Sequence, residues 1–85
     1  MKKDSKLTVT RIQTGVRMEK RMIKVLKGLA EYLDISLGDL LEGIVLHAFE
    51  GKAAFSPETV AKINDLKGIY EMDYDASTAH KLKEL

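Results

Sequence analysis

Residues 11–18 alternate in character with a period of two, and the period changes abruptly just after them. Laid out as a strand, they send Arg11, Gln13, Gly15 and Arg17 to one face and Ile12, Thr14, Val16 and Met18 to the other. Residues 7–18 are rich in Thr, Val and Ile, side chains that suit a pleated surface. A single short strand is not stable alone in water. It requires a partner, and the simplest is the same segment of a second copy. The sequence therefore predicts a mainly α chain with one N-terminal β-strand at about 11–18, completed as a homodimer.

From Glu19 the apolar residues recur at steps of three and four. Met22, Ile23, Leu26, Leu29, Ala30 and Leu33 form one face of a helix over about 19–33, with Lys20, Lys24, Lys27 and Glu31 on the other. Asp34 and Ile35 make a tight break. Ser36 is placed to cap a second helix over about 37–50, with Asp39 at its third position favourable for the helix dipole and a capping box. That helix carries Leu37, Leu40, Leu41, Ile44, Val45, Ala48 and Phe49 on one stripe and Leu46 off it. It is apolar over more than one face, which a small monomer cannot cover. Gly51 is its expected C-cap. Ser56, Pro57 and a Phe55–Val60 staple mark a third helix, about 57–67, stopped at Gly68. Asp75 begins a last short helix, about 76–82.

Eighty-five residues make one small domain with a thin core unless a second chain completes it. There is no cysteine, hence neither a disulfide framework nor a thiolate metal site. No apolar run is long enough to span a membrane, and residues 1–6 are polar and basic rather than a signal core. A cytoplasmic location fits these features. Neither His47 nor His80 has a ligand cluster around it, so no metal site is expected. There is no phosphate loop, no nucleophile–base arrangement and no framed carboxylate pair, so neither catalysis nor a cofactor is expected. Tyr32, Tyr70 and Tyr74 read as packing residues.

The net charge of +1 conceals an asymmetry. Residues 1–27 hold nine Lys/Arg against two acids, and residues 28–85 hold five Lys against eleven, giving +7 and −6. A basic front suits a polyanion. A ribbon with Arg and Gln on one surface has the width of the DNA major groove, where both residues bond bidentately to base edges. The residues pointing to base contact are Arg11, Gln13, Gly15 and Arg17. Lys2, Lys3 and Lys6 form a basic arm over 1–6 able to follow the DNA backbone without reading sequence.

Strand, helix, tight turn and helix in this order resemble the ribbon-helix-helix DNA-binding proteins of the Arc/MetJ class, over Gln13 to about Gly51. The resemblance implies an intermolecular two-stranded antiparallel ribbon and a ribbon-helix-helix domain at 7–51, followed by a C-terminal helical extension at 52–85. It places Gln13, Gly15 and Arg17 as outward readers. It places Ser36, Leu37 and Gly38 at a phosphate-binding helix start, where free N–H groups and the helix dipole favour an anion. Lys20 and Arg21 are further phosphate candidates. Val16, Met18, Leu40, Leu41, Ile44, Val45 and Ala48 are the implied dimer core. The chain departs from the pattern at Gly15, which has no side chain to read a base, at Asp34 in the turn, and at Asp39 beside the phosphate site. Lys6 to Thr10 offers a second ribbon register, with Lys6, Thr8 and Thr10 outward.

The function implied is a homodimeric, sequence-specific transcriptional regulator on double-stranded DNA, with further dimers on adjacent half-sites. The alternative is an antitoxin- or adaptor-like module whose acidic 52–85 segment binds a protein partner.

Overall fold

The computed structural model describes residues 7–85. Three α-helices run in chain order, α1 at Lys20–Leu33, α2 at Leu37–Phe49 and α3 at Pro57–Ile69, followed by a 3₁₀ turn at Ala76–Thr78. Among the described residues there is no strand, and residues 7–19 form neither helix nor ladder. This small all-helical fold corrects the expectation of an N-terminal β-strand and of a ribbon-helix-helix homodimer joined through it. The reason is physical: a strand exists through ladder hydrogen bonds to a second strand. The described remainder of the chain is committed to helices and turns and supplies none.

Each helix start is built from local chemistry. Glu19 caps α1, accepting a hydrogen bond from the Arg21 N–H at 3.1 Å. Ser36 caps α2, its Oγ accepting from the Asp39 N–H at 3.0 Å. Ser56 caps α3 in the same way through the Thr59 N–H at 3.2 Å, with Pro57 in the first turn where its missing N–H costs nothing. Phe55 lies against the core, while Val60 stays 43 % exposed.

The three helix ends also share one device. After each helix a residue takes the left-handed conformation, at Asp34 (φ 59), Gly51 (φ 68) and Glu71 (φ 56). The next N–H then reaches back: Ile35 to Ala30 O at 3.0 Å, Lys52 to His47 O at 2.9 Å and Met72 to Lys67 O at 2.8 Å. This is the Schellman arrangement. The structure carries α3 through Gly68, where the sequence predicts its stop, because one interior glycine weakens a helix by only about 1 kcal/mol. The last short helix shrinks to a single 3₁₀ turn, capped by Asp75 Oδ1 accepting from the Ser77 N–H.

α1 is the central element and touches both α2 and α3. Leu29, Ala30 and Leu40 are buried together, with Leu26, Leu33, Ile44, Phe55, Ile63 and Leu66 packed around them. Val25, which the apolar spacing of α1 passes over, is also buried. Gly28 sets the spacing of α1 and α3: a Cβ there would stand 3.0 Å from Leu66 Cδ2 and 3.7 Å from the Tyr70 ring.

Candidate nucleic-acid interface

The segment that precedes α1 is exposed along its length from Leu7 to Met18. Arg11, Gln13, Gly15 and Arg17 all face solvent on it, and no atom crowds the position a Gly15 side chain would take. Its apolar residues are uncovered too, with Leu7 at 87 %, Ile12 at 83 % and Val16 at 77 % exposure.

Two arginines of this segment are held by carboxylates distant in sequence. The Arg11 guanidinium donates from Nε and Nη2 to the two oxygens of Glu42, each at 2.9 Å, a bidentate fork. Through that hydrogen bond first and the paired charge second, Glu42 raises Arg11 above its usual pKa, and Arg11 lowers Glu42. Arg11 is thereby fastened to α2 at Glu42. Arg17 is held by Glu84, close to the chain's C-terminal end.

The start of α2 is open. Ser36 Oγ is committed to the Asp39 N–H, leaving the Leu37 and Gly38 N–H groups of the first turn without an intrahelical partner. Gly38 has nothing within 4 Å of a would-be Cβ, so an anion can approach its backbone. Asp39 supplies the opposing charge. Lys20 and Arg21 lie at the other end of α1, about 20 Å away at a rise of 1.5 Å per residue. The structure therefore ties Arg11 to α2 at Glu42 and separates Ser36–Gly38 from Lys20 and Arg21. The arm at 1–6 lies outside the described residues, as does Lys6 of the alternative register.

Arg21 is tied into a polar cluster at the head of α1. Its Nε donates to Glu19 Oε2 at 3.2 Å, and its Nη1 donates to the Glu71 carbonyl at 3.1 Å and to Asp73 Oδ1 at 3.2 Å. The Tyr74 hydroxyl donates to Glu19 Oε1 at 2.5 Å, and Arg21 lies 5.3 Å from the Tyr74 ring centre. The Tyr74 bond, followed by the Arg21 N–H, holds the Glu19 carboxyl down at about 2. Burial, aided by that carboxylate, pushes the Tyr74 phenol up to about 12. Tyr74 is thus a hydrogen-bonding clamp between the C-terminal segment and α1 as well as a packing residue.

The implied dimer-core residues divide into two groups. Leu40 is 3 % exposed and belongs to the single-chain core, with Ile44 packed beside it. Leu41 is half-buried, and Val16, Met18, Val45 and Ala48 are exposed. Leu46 and Phe49 extend that exposed surface of α2, at 64 % and 81 %.

Comparison with known protein families, curated proteins and solved structures finds no match for this chain.

Sequence reasoning passed over the acidic partners Glu42 and Glu84 and the Glu19–Tyr74 bond. Glu42 carried one usable signal, a carboxylate set among the apolar residues beyond the first turn of α2. Glu84 carried none. The 52–85 segment, which the alternative reading assigns to a protein partner, packs on its own α1 through Ile63 and Leu66. Among the described residues no group of three acidic or histidine side chains could hold a metal, and no helix is long and apolar enough to cross a membrane.

Proposed function

We propose that this protein is a homodimeric, sequence-specific DNA-binding regulator of transcription acting in the cytoplasm. The exposed segment ahead of α1 presents Arg11, Gln13 and Arg17 to base edges in the major groove, and the start of α2 receives a phosphate at the Leu37 and Gly38 N–H groups. The observation that carries this reading is the state of Arg11 and Arg17. Both stand on an open segment and both are held by solvent-exposed carboxylates, with side-chain exposures of 70 % against 48 % and 83 % against 72 %. Exposed ion pairs of this kind contribute little to stability. A carboxylate on such an arginine occupies the position that a guanine edge or a phosphate takes in a complex, and release of DNA counterions favours the exchange. The second copy rests on the apolar surface of α2 at Val45, Leu46 and Phe49, which the described residues leave exposed.

The test is a fluorescence anisotropy titration of the full chain into labelled DNA from its own upstream region, against a scrambled duplex, at low and physiological salt. Arg17→Ala is expected to cost about 1–3 kcal/mol on the preferred duplex and to blunt the preference. Weak binding that disappears with salt and ignores both sequence and the substitution would leave a basic surface without readout, and the proposal would fail.

A further inference from the structure

The C-terminal segment crosses back over α1 and α3 without sealing against them. Beneath residues 72–82 lies a half-open cavity of about 330 Å³, walled by Val25 and Leu29 of α1, Ile63 of α3, and Met72, Ala79 and Leu82 of the crossing segment. Protein interiors leave few voids larger than a water molecule. An apolar wall offers water no hydrogen-bonding partners and favours apolar molecules in its place. This one falls within the range of small-molecule pockets, roughly 300–1,000 Å³.

Four polar side chains line the cavity, and three are committed elsewhere. Tyr74 donates to Glu19 at 2.5 Å. Asp75 Oδ1 accepts from the Ser77 N–H and Oγ at 2.9 and 2.6 Å, and Thr78 Oγ1 donates to the Asp75 carbonyl at 2.7 Å. Lys67 is the fourth. Among the described residues its ammonium makes no side-chain hydrogen bond and no ion pair within 4.0 Å. Its positive charge reaches the Asp75 carboxyl at longer range. An apolar wall with one lysine among its lining residues is complementary to an apolar body carrying a single negative charge. The Asp75 carboxylate, which also lines the cavity, disfavours a second.

We propose that the cavity beneath residues 72–82 binds a medium-chain monocarboxylate, its hydrocarbon against Val25, Leu29 and Ile63 and its carboxylate at Lys67 Nζ. This site is separate from the DNA-reading segment and stands whether or not the chain reads DNA.

The experiment is calorimetric titration of the full chain, without DNA, with decanoate and with decanol as its uncharged counterpart. Decanoate is expected to saturate at one molecule per chain and to bind about tenfold tighter than decanol, the ratio a charge-assisted hydrogen bond supports. Lys67→Gln changes one partly exposed side chain and should bring decanoate down to decanol while leaving decanol unchanged. Ala79→Phe fills the cavity from the crossing segment and should abolish both. Methyl resonances of Val25, Leu29 and Ile63 should shift on binding in the wild-type chain. Failure of decanoate to saturate, equal affinity for the two ligands, or shifts confined to Val45 and Leu46 of α2 would each overturn the assignment. DNA is absent from the assay, so its failure is distinguishable from failure of the DNA-binding reading.

Discussion

α1 and α2 are close in length and joined by a tight turn, yet they spend their apolar residues differently. α1 alternates lysines with leucines and valine and buries Val25, Leu29 and Ala30. α2 is the more apolar helix, with only Asp39, Glu42 and His47 among its polar or charged side chains, and it buries Leu40 alone. Leu29 on α1 is 2 % exposed, whereas Leu46 and Phe49 on α2 are 64 % and 81 % exposed. The reason is position. Among the described helices, α1 packs closely against both others, while α2 packs closely against α1 alone. A helix whose apolar surface exceeds what its own chain covers gains from a second surface, because burying that area is favourable wherever the cover comes from. The DNA-binding proposal uses this surplus, since two copies present two reading segments to one duplex.

The largest effect expected from this contrast concerns two leucines. Measured by urea unfolding in a Phe49→Lys background, where no second copy contributes, Leu29→Ala should destabilise the chain by about 3 kcal/mol through lost burial and a cavity. Leu46→Ala should change it by less than about 0.5 kcal/mol, as surface substitutions do. Equal costs at the two positions would erase the distinction between a spent and an unspent helix.

A second test concerns what fastens the C-terminal segment to α1. Glu19 is ordinarily near 4.5 and is held at about 2 in the fold, so its contribution is fully present above pH 4.5 and is lost as pH falls towards 2. Tyr74 shifts the other way, from 10.0 to about 12, so its contribution is complete below pH 10 and is lost as pH rises through 12. Thermal melts across these windows should show Tm falling at both ends. Glu19→Gln should flatten the acid limb, and an unchanged limb would remove the clamp from the account of α1.

The smallest expected effect lies in the turn that separates the two helices. Asp34 holds φ at 59°, a conformation that glycine adopts without the steric cost of a Cβ. Asp34→Gly should raise stability by about 0.5 kcal/mol, a gain limited by glycine's larger backbone entropy in the unfolded chain. A loss would mean that the Asp34 side chain makes a contribution beyond the turn.

What the sequence made legible follows from how local each cause is. The starts of α2 and α3 could be read because Ser36 and Ser56 bond to an N–H three residues on. Gly51 could be read as a helix end because glycine favours the conformation that a Schellman cap needs. Glu71 could not, since nothing in a glutamate announces a left-handed turn and Gly68 offers a more obvious stop. The strand expected at 11–18 depended on a partner outside the segment, and the structure has no strand there. The candidate site was half legible. The arginines stood out by alternation, but their partners did not, because Glu42 and Glu84 lie 31 and 67 residues away from them. Only the fold brings such residues together.

The most direct measurement is the mass of the full chain in solution by sedimentation equilibrium, for wild type and for Phe49→Lys. The wild type should sediment at twice the 9.5 kDa chain mass, and Phe49→Lys should return it to 9.5 kDa without unfolding α1 and α3. A wild type that stays at the single-chain mass at every concentration, or a dimer that Phe49→Lys leaves intact, would contradict the assignment of the exposed surface of α2 to a second copy.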